Sequence, residues 1–463
     1  VPVTDADLKP EEADTAIYVL ARNSGEGKDR NVLPGEYELF GEEVDALRRI
    51  AAAYRTTILV LNVGSVIDMK AVLAVPGIDA ILNMSQAGNY GGYALADVLT
   101  GKQAPGGRLT TTWAVNYQDY PSAATFSHMN GDTDDEDYSE GIYVGYRYFD
   151  TFNITPQYPF GYGLTYTDFD IACAACEADE REVRLRFRVT NIGKTAGRQV
   201  VQVYFSAPEG KLEKPYQELA GYAKTKELAP GEAETLEIRF DTAAMASYDP
   251  ERAAWVLEKG IYYIRAGVHS RDTRIILALA LDADAVTERV RNILPLDREL
   301  KLLSARGAVP YSYEGEAAEK AAARVIPLAA AKIPTRTVSY SGAAREIPKT
   351  DRKDVITLQD VKEGKAALEE LVSQLTPYEL ASLCVGAQRG GWFDNVGPQI
   401  GAASAASPGA AGDTTSLLTA SRGVRNLILP DGPAGLRLTP HFRMDGEGRI
   451  YTMDPPMAGL EWL

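Results

Sequence analysis

Apolar and polar positions change period along the chain, and each change marks a different kind of layer. Residues 16–21 (AIYVLA) form a continuous apolar run of strand length that stops at the polar, glycine-containing loop 22–30. Val44, Leu47, Ala51 and Tyr54 recur at helical spacing among charged residues, and residues 57–63 (TILVLNV) give a second buried strand. A third apolar run, 78–84, is followed by Gly88, Gly91, Gly92 and the helix-like stretch 93–99. Strand, helix and strand in this order over 15–165 predict a parallel, doubly wound α/β sheet.

Beyond residue 166 the period falls to two. In 183–189 (VRLRFRV) apolar residues alternate strictly with arginines, the pattern of a strand with one face in a core and one in water. Similar strands at 200–205, 235–240 and 261–266 are separated by turn signals such as Asn191-Ile192-Gly193 and Pro230-Gly231-Glu232. The span 168–283 therefore reads as a β-sandwich. Residues 286 to about 355 hold no steady period and suit a linker or tether packed over other domains. Helical signals resume over 364–374, and Thr376-Pro377-Tyr378-Glu379 has the form of a capping box with proline at the first helical position, opening a helix through Cys384. Residues 424–429 read as a short strand ending in Pro430-Asp431-Gly432-Pro433.

At 463 residues the chain suggests about three domains. Lys and Arg total 48 against 64 Asp and Glu, a net charge of −16, which argues against a nucleic-acid footprint and leaves uncharged sugars as easy ligands. No apolar run is long enough to span a membrane. Three cysteines cannot build a disulfide framework, and the pair Cys173 and Cys176 stands alone, without a second pair at zinc-ligand spacing. His128, His269 and His441 are scattered and read as surface or packing residues. The acidic run Asp132, Asp134, Asp135, Glu136 and Asp137 lacks calcium-loop spacing and reads as a solvated loop, so no metal site is expected.

Several segments together resemble glycoside hydrolase family 3. Residues 21–30 (ARNSGEGKDR) are similar to the SGEG loop of that family's α/β sandwich domain; 141–150 (GIYVGYRYFD) with 158–166 (YPFGYGLTY) are similar to the closing signature of the same domain. Residues 189–193, 211–215, 228–232 and 255–258 resemble the fibronectin type III-like domain that follows it, and 375–384 with 429–437 (LPDGPAGLR) look like the start of the family's catalytic (β/α)8 barrel. The resemblance implies a multidomain α/β plus β protein: a partial α/β sandwich (1–166), a fibronectin type III-like β-sandwich (167–285), a linker or tether (286–355) and the first part of the barrel (356–463). It also implies the smaller subgroup in which the barrel follows the other domains. An internal piece of a longer enzyme is expected, because the family's nucleophile, an aspartate in an S/T-D-W motif, has no counterpart among these residues.

Retaining glycoside hydrolysis needs two carboxyl groups roughly 5–5.5 Å apart, one attacking the anomeric carbon, the other protonating the leaving oxygen and then activating water. By resemblance Glu26 is the general acid/base, carried on a glycine-flanked loop where Arg22, Lys28 and Arg30 could moderate its ionisation. Asp431 follows a short apolar strand and by resemblance accepts hydrogen bonds from sugar hydroxyls in subsite −1; the plainer alternative is an aspartate capping the turn before Gly432. Trp392 could stack on a sugar, but a packing role accounts for it as well. The reading is a retaining exo-β-glycosidase, a β-glucosidase first of all, that needs no cofactor. The alternatives are a β-xylosidase or α-L-arabinofuranosidase of the same family, or a non-catalytic carbohydrate-binding scaffold. A small carbohydrate or glycoside is the expected partner, with neither nucleic acid nor membrane, together with the remainder of the barrel; a homo-oligomer is left open. Few cysteines and no visible export signal point to the cytoplasm.

Overall fold

The computed structural model describes residues 3–22, 30–296, 298–340, 349–386, 407, 409–430, 432, 436, 438, 442–444 and 450–452. They fall into two compact units, Val1–Tyr340 and Ser341–Leu463.

The first unit opens with three parallel strands, β1 (Thr15–Ala21), β2 (Thr56–Asn62) and β3 (Ala80–Asn83). Between and after them run the helices α1 (Gly41–Ala53) and α2 (Gly91–Leu99). The apolar stripe of α1 meets the sheet through Leu47, which shares one buried cluster with Leu20, Leu59, Leu61 and Val72. The strands pair in the order β1-β2-β3. Among the described residues the order runs straight through, as it does within one half of a doubly wound sheet. Periodicity fixes each element but not the edge to which the next strand is added. As an edge strand, β1 leaves Ile17 and Val19 half-exposed.

Beside a small four-stranded sheet (Ser247–Asp249, Ala254–Leu257, Ala285–Arg289 and Arg336–Thr337), the sandwich is built on two main sheets. One is antiparallel, β4 (Phe169–Ala178), β5 (Glu182–Asn191) and β8 (Ala233–Asp241), with β5 in the middle. The other is ordered β11-β10-β9-β6-β7, from β6 (Val200–Ser206), β7 (Glu218–Lys224), β9 (Gly260–His269), β10 (Asp272–Leu281) and β11 (Val325–Leu328). The alternation in β5 places Val183, Leu185, Phe187 and Val189 in the core and turns the intervening arginines to solvent. By contrast β6 is buried on both faces. Its Val201, Val203 and Phe205 enter the sandwich core, while Gln202 donates to the Gly161 carbonyl (3.2 Å) and the Tyr204 ring meets Tyr146 edge-on at 5.8 Å. The far face of β6 thus carries the α/β layer.

That junction is built by α3 (Tyr146–Thr151), which begins within the 141–150 signature. Tyr146 stacks on Phe160 at 4.8 Å and its hydroxyl accepts from the Leu219 amide (2.8 Å). Asp150, 1% exposed, receives Arg271 Nε at 2.5 Å and Gln217 Nε2 at 3.0 Å. Residues 286–340, which lack a steady period, supply β11, paired parallel to β10, and α4 (Glu316–Ala322). Glu316 on α4 is buried against Arg265 of β9.

The second unit packs α5 (Leu358–Lys362), α6 (Leu368–Ser373) and α7 (Pro377–Val385). The capping box forms as the sequence predicts: Thr376 Oγ1 accepts from the Glu379 amide (3.2 Å), and the Thr376 amide donates to Glu379 Oε2 (2.8 Å). Ile356, Leu371, Ala410 and Leu418 are buried. Only Ile428–Leu429 of the expected strand 424–429 is regular, and it pairs antiparallel with Gly412–Asp413. The described strands of this unit pair antiparallel, so the parallel pairing with which a (β/α)8 barrel would begin is not among them.

Candidate active site

The C-terminal ends of β1, β2 and β3 open on a cleft of about 500 Å³ lined by Ala21, Arg22, Asn62, Gln86, Gly88 and Gly91 among others. Parallel sheets place their ligand sites at these strand ends, where chain direction reverses and loops are free to vary. Gly91 opens α2 close to its neighbours: a Cβ there would lie 2.9 Å from Ala87 Cβ, which explains a glycine at that turn. Gly88 has φ +69°, a conformation that L side chains rarely adopt.

The loop of 22–30 leaves this edge and is anchored at both ends. Arg22, its side chain 3% exposed, forms a bidentate pair with Glu43 (Nη1–Oε1 2.8 Å, Nη2–Oε2 2.7 Å). The same guanidinium donates to the carbonyls of Ala21 (2.8 Å), Glu36 (3.0 Å) and Glu38 (3.2 Å). Glu43 also accepts from the Phe40 amide at 2.9 Å, so one carboxylate fixes both the start of α1 and the root of the loop. At the other end Arg30 Nη2 donates to the Val66 carbonyl at 2.8 Å. Burial, with the charge of Arg22 nearby, lowers the pKa of Arg30.

Arg22, bound to Glu43 and three carbonyls, holds the loop root. Glu26, Lys28, Asp431, Trp392 and His441 lie outside the described residues. His269 is a packing residue: its ring meets Tyr162 edge-on at 5.6 Å, its Nδ1 accepts from the Arg271 amide, and burial lowers its pKa. In the acidic run, Asp132 accepts from the amides of Asp134 and Asp135 and Arg298 pairs with Asp137, as in an ordinary polar loop. No group of three metal-ligating side chains occurs among the described residues.

Sequence reasoning missed Glu43, Asn62 and Gln86. Glu43 carried a signal, an acid three residues into a helix, but nothing in the sequence tied it to an arginine 21 positions earlier.

Comparison with known proteins agrees with this architecture. Residues 2–166 match the glycosyl hydrolase family 3 C-terminal domain and residues 199–270 a fibronectin type III-like domain. A β-glucosidase of Ruminococcus albus is 35% identical over 446 residues, covering 95% of this chain and 44% of that protein. The solved β-glucosidase of Paenibacillus barengoltzii superposes with a TM-score of 0.69 at 29% identity, over 95% of this chain and 47% of the other. β-Glucosidase 3B of Thermotoga neapolitana, solved in complex with glucose, gives a TM-score of 0.57 at 36% identity over 60% of this chain and 39% of its own. The chain spans about half the length or less of the relatives it matches. Residues 2–166 are thus a glycoside hydrolase family 3 C-terminal domain, followed by a fibronectin type III-like module.

Proposed function

We propose that this chain forms part of a retaining exo-β-glycosidase that removes terminal β-D-glucosyl residues through a covalent glycosyl-enzyme. In this reading Glu26 protonates the leaving oxygen and then takes a proton from the attacking water. Asp431 accepts hydrogen bonds from the hydroxyls of the sugar being released. Residues 356–463 begin the (β/α)8 barrel in the permuted order, and the nucleophilic aspartate lies in residues beyond this chain. The single observation that carries the reading is the loop root: the segment bearing Glu26 leaves the carboxyl end of β1 at an open cleft and is tied down on both sides by Arg22 and Arg30. Glucose is favoured as glycone because the three relatives above are named β-glucosidases and one was solved with glucose, although two exo-α-(1→6)-L-arabinopyranosidases of Bifidobacterium are also similar over 57% of the chain.

The test is a panel of nitrophenyl glycosides with the full-length enzyme. Preferential hydrolysis of the β-glucoside, with the β-anomer of glucose released first, supports the proposal. Release of the α-anomer, or preference for a xyloside or arabinoside, overturns the mechanism or the glycone respectively. Asp431→Ala should raise KM and lower kcat together, and unchanged kinetics would assign Asp431 to the turn instead.

A further inference from the structure

Cys173 and Cys176 lie on β4, the edge strand of the three-stranded sheet, and both are free thiols, the first exposed and the second half-buried. Residues three apart on a regular strand point to opposite faces. Here a β-bulge between Cys173 and Ala175 absorbs one residue, so that Cys173 stands opposite Phe187 and Cys176 opposite Leu185. Phe187 and Leu185 share the inward face of β5, which places the two cysteines in consecutive positions on one face of β4. The Cys173 thiol donates to the Ala175 carbonyl at 3.8 Å, and the two neighbouring thiols shift one another's ionisation, Cys173 downward and Cys176 upward. The bulge thus gives two thiols at C-x-x-C spacing a common face that the strand alone would deny them.

We propose that Cys173 and Cys176 are a reactive dithiol that closes into an intrastrand disulfide by exchange with a small-molecule disulfide such as oxidised glutathione. The Cys173 thiolate attacks one sulfur of the small disulfide, forming a mixed disulfide and expelling one thiolate. Cys176 then gives up its proton to solvent and attacks the Cys173 sulfur, closing the protein disulfide and expelling the second thiolate. The two protein thiols are oxidised and the one small disulfide is reduced to two thiols, so the exchange balances without another reagent. The order of attack follows from these shifts. Interaction with the Cys176 thiol pulls the pKa of Cys173 down to about 7, whereas interaction with Cys173 and burial raise that of Cys176. Exposure leaves Cys173 open to the reagent, while Cys176 is the less exposed of the two.

The test uses the Cys384→Ser chain, so that only this pair reacts, treated with oxidised glutathione and followed by intact mass. The expected product has lost two hydrogens and carries no glutathione. In the same background Cys176→Ser should hold a stable glutathione adduct, and Cys173→Ser should react on the order of tenfold more slowly than Cys176→Ser. Cys176→Ala should also trap the adduct but form it several-fold more slowly than Cys176→Ser, because alanine cannot donate to the Cys173 sulfur. A persistent adduct on the unsubstituted pair, or equal rates for Cys173→Ser and Cys176→Ser, would overturn the proposal. Circular dichroism on each variant separates lost reactivity from lost fold.

Discussion

The first unit buries two arginine–carboxylate pairs whose acids are pushed in opposite directions. At the junction of the α/β layer with the sandwich, Asp150 faces Arg271; on the same outward face of the β6–β9 pair, beneath α4, Glu316 faces Arg265. Burial raises Asp150 to about 6, outweighing the Arg271 charge and the hydrogen bonds from Gln217 and Arg271. Burial also opposes the ionisation of Glu316, but there it loses: hydrogen bonds from Ser312 and Arg265, the Arg265 charge and Lys320 hold the carboxyl at about 2. Tyr216 adds a further donor to Glu316 at 2.9 Å. An arginine alone therefore does not decide whether a buried acid is comfortable; the number of donors around it does.

The comparison breaks most sharply at the cations. Arg271→Leu leaves Asp150 enclosed without a counter-charge and should cost about 3–5 kcal/mol at neutral pH, read from denaturant unfolding. A loss below about 1 kcal/mol would mean that the junction does not depend on the pair. Glu316→Gln should cost about 3 kcal/mol at pH 7, because its folded-state pKa lies below the ordinary value. That difference from wild type should be full above about pH 4.5 and vanish as the pH falls through about 2. Asp150→Asn is the smallest and has the opposite sign. A raised pKa favours the protonated form, so wild type holds its own against the asparagine variant below about pH 4 and loses ground as the pH rises through 6. At pH 7 the variant should be as stable as wild type or more so, by at most about 3 kcal/mol. Matching pH profiles for the two acid variants would erase the distinction.

What the sequence revealed follows the range of the interactions. Strict alternation in 183–189 and the capping box at 376–379 depend on neighbours a few residues apart, and both appear as read. The three apolar runs became β1, β2 and β3 for the same reason, whereas their straight order had no local signature. Nor did the strand at Val325–Leu328 or the burial of Glu316, since both rest on partners about 50 residues away in β9 and β10. Strand β6 alternates like its neighbours only on the sandwich side; its other face is buried by a layer that its own composition does not announce. At the cleft, the glycines and the end of β1 were legible, but the Arg22–Glu43 pair was not, because arginine in a loop reads as solvated until its partner is known.

The account rests on Glu26 as the proton donor, and the most direct measurement is the leaving-group dependence of Glu26→Gln in the full-length enzyme. Hydrolysis of a glucoside with a poor leaving group should fall by about 10²–10⁴-fold, while a dinitrophenyl glucoside, which needs no protonation to depart, should lose far less in its first step. Near-wild-type rates on both substrates would contradict it.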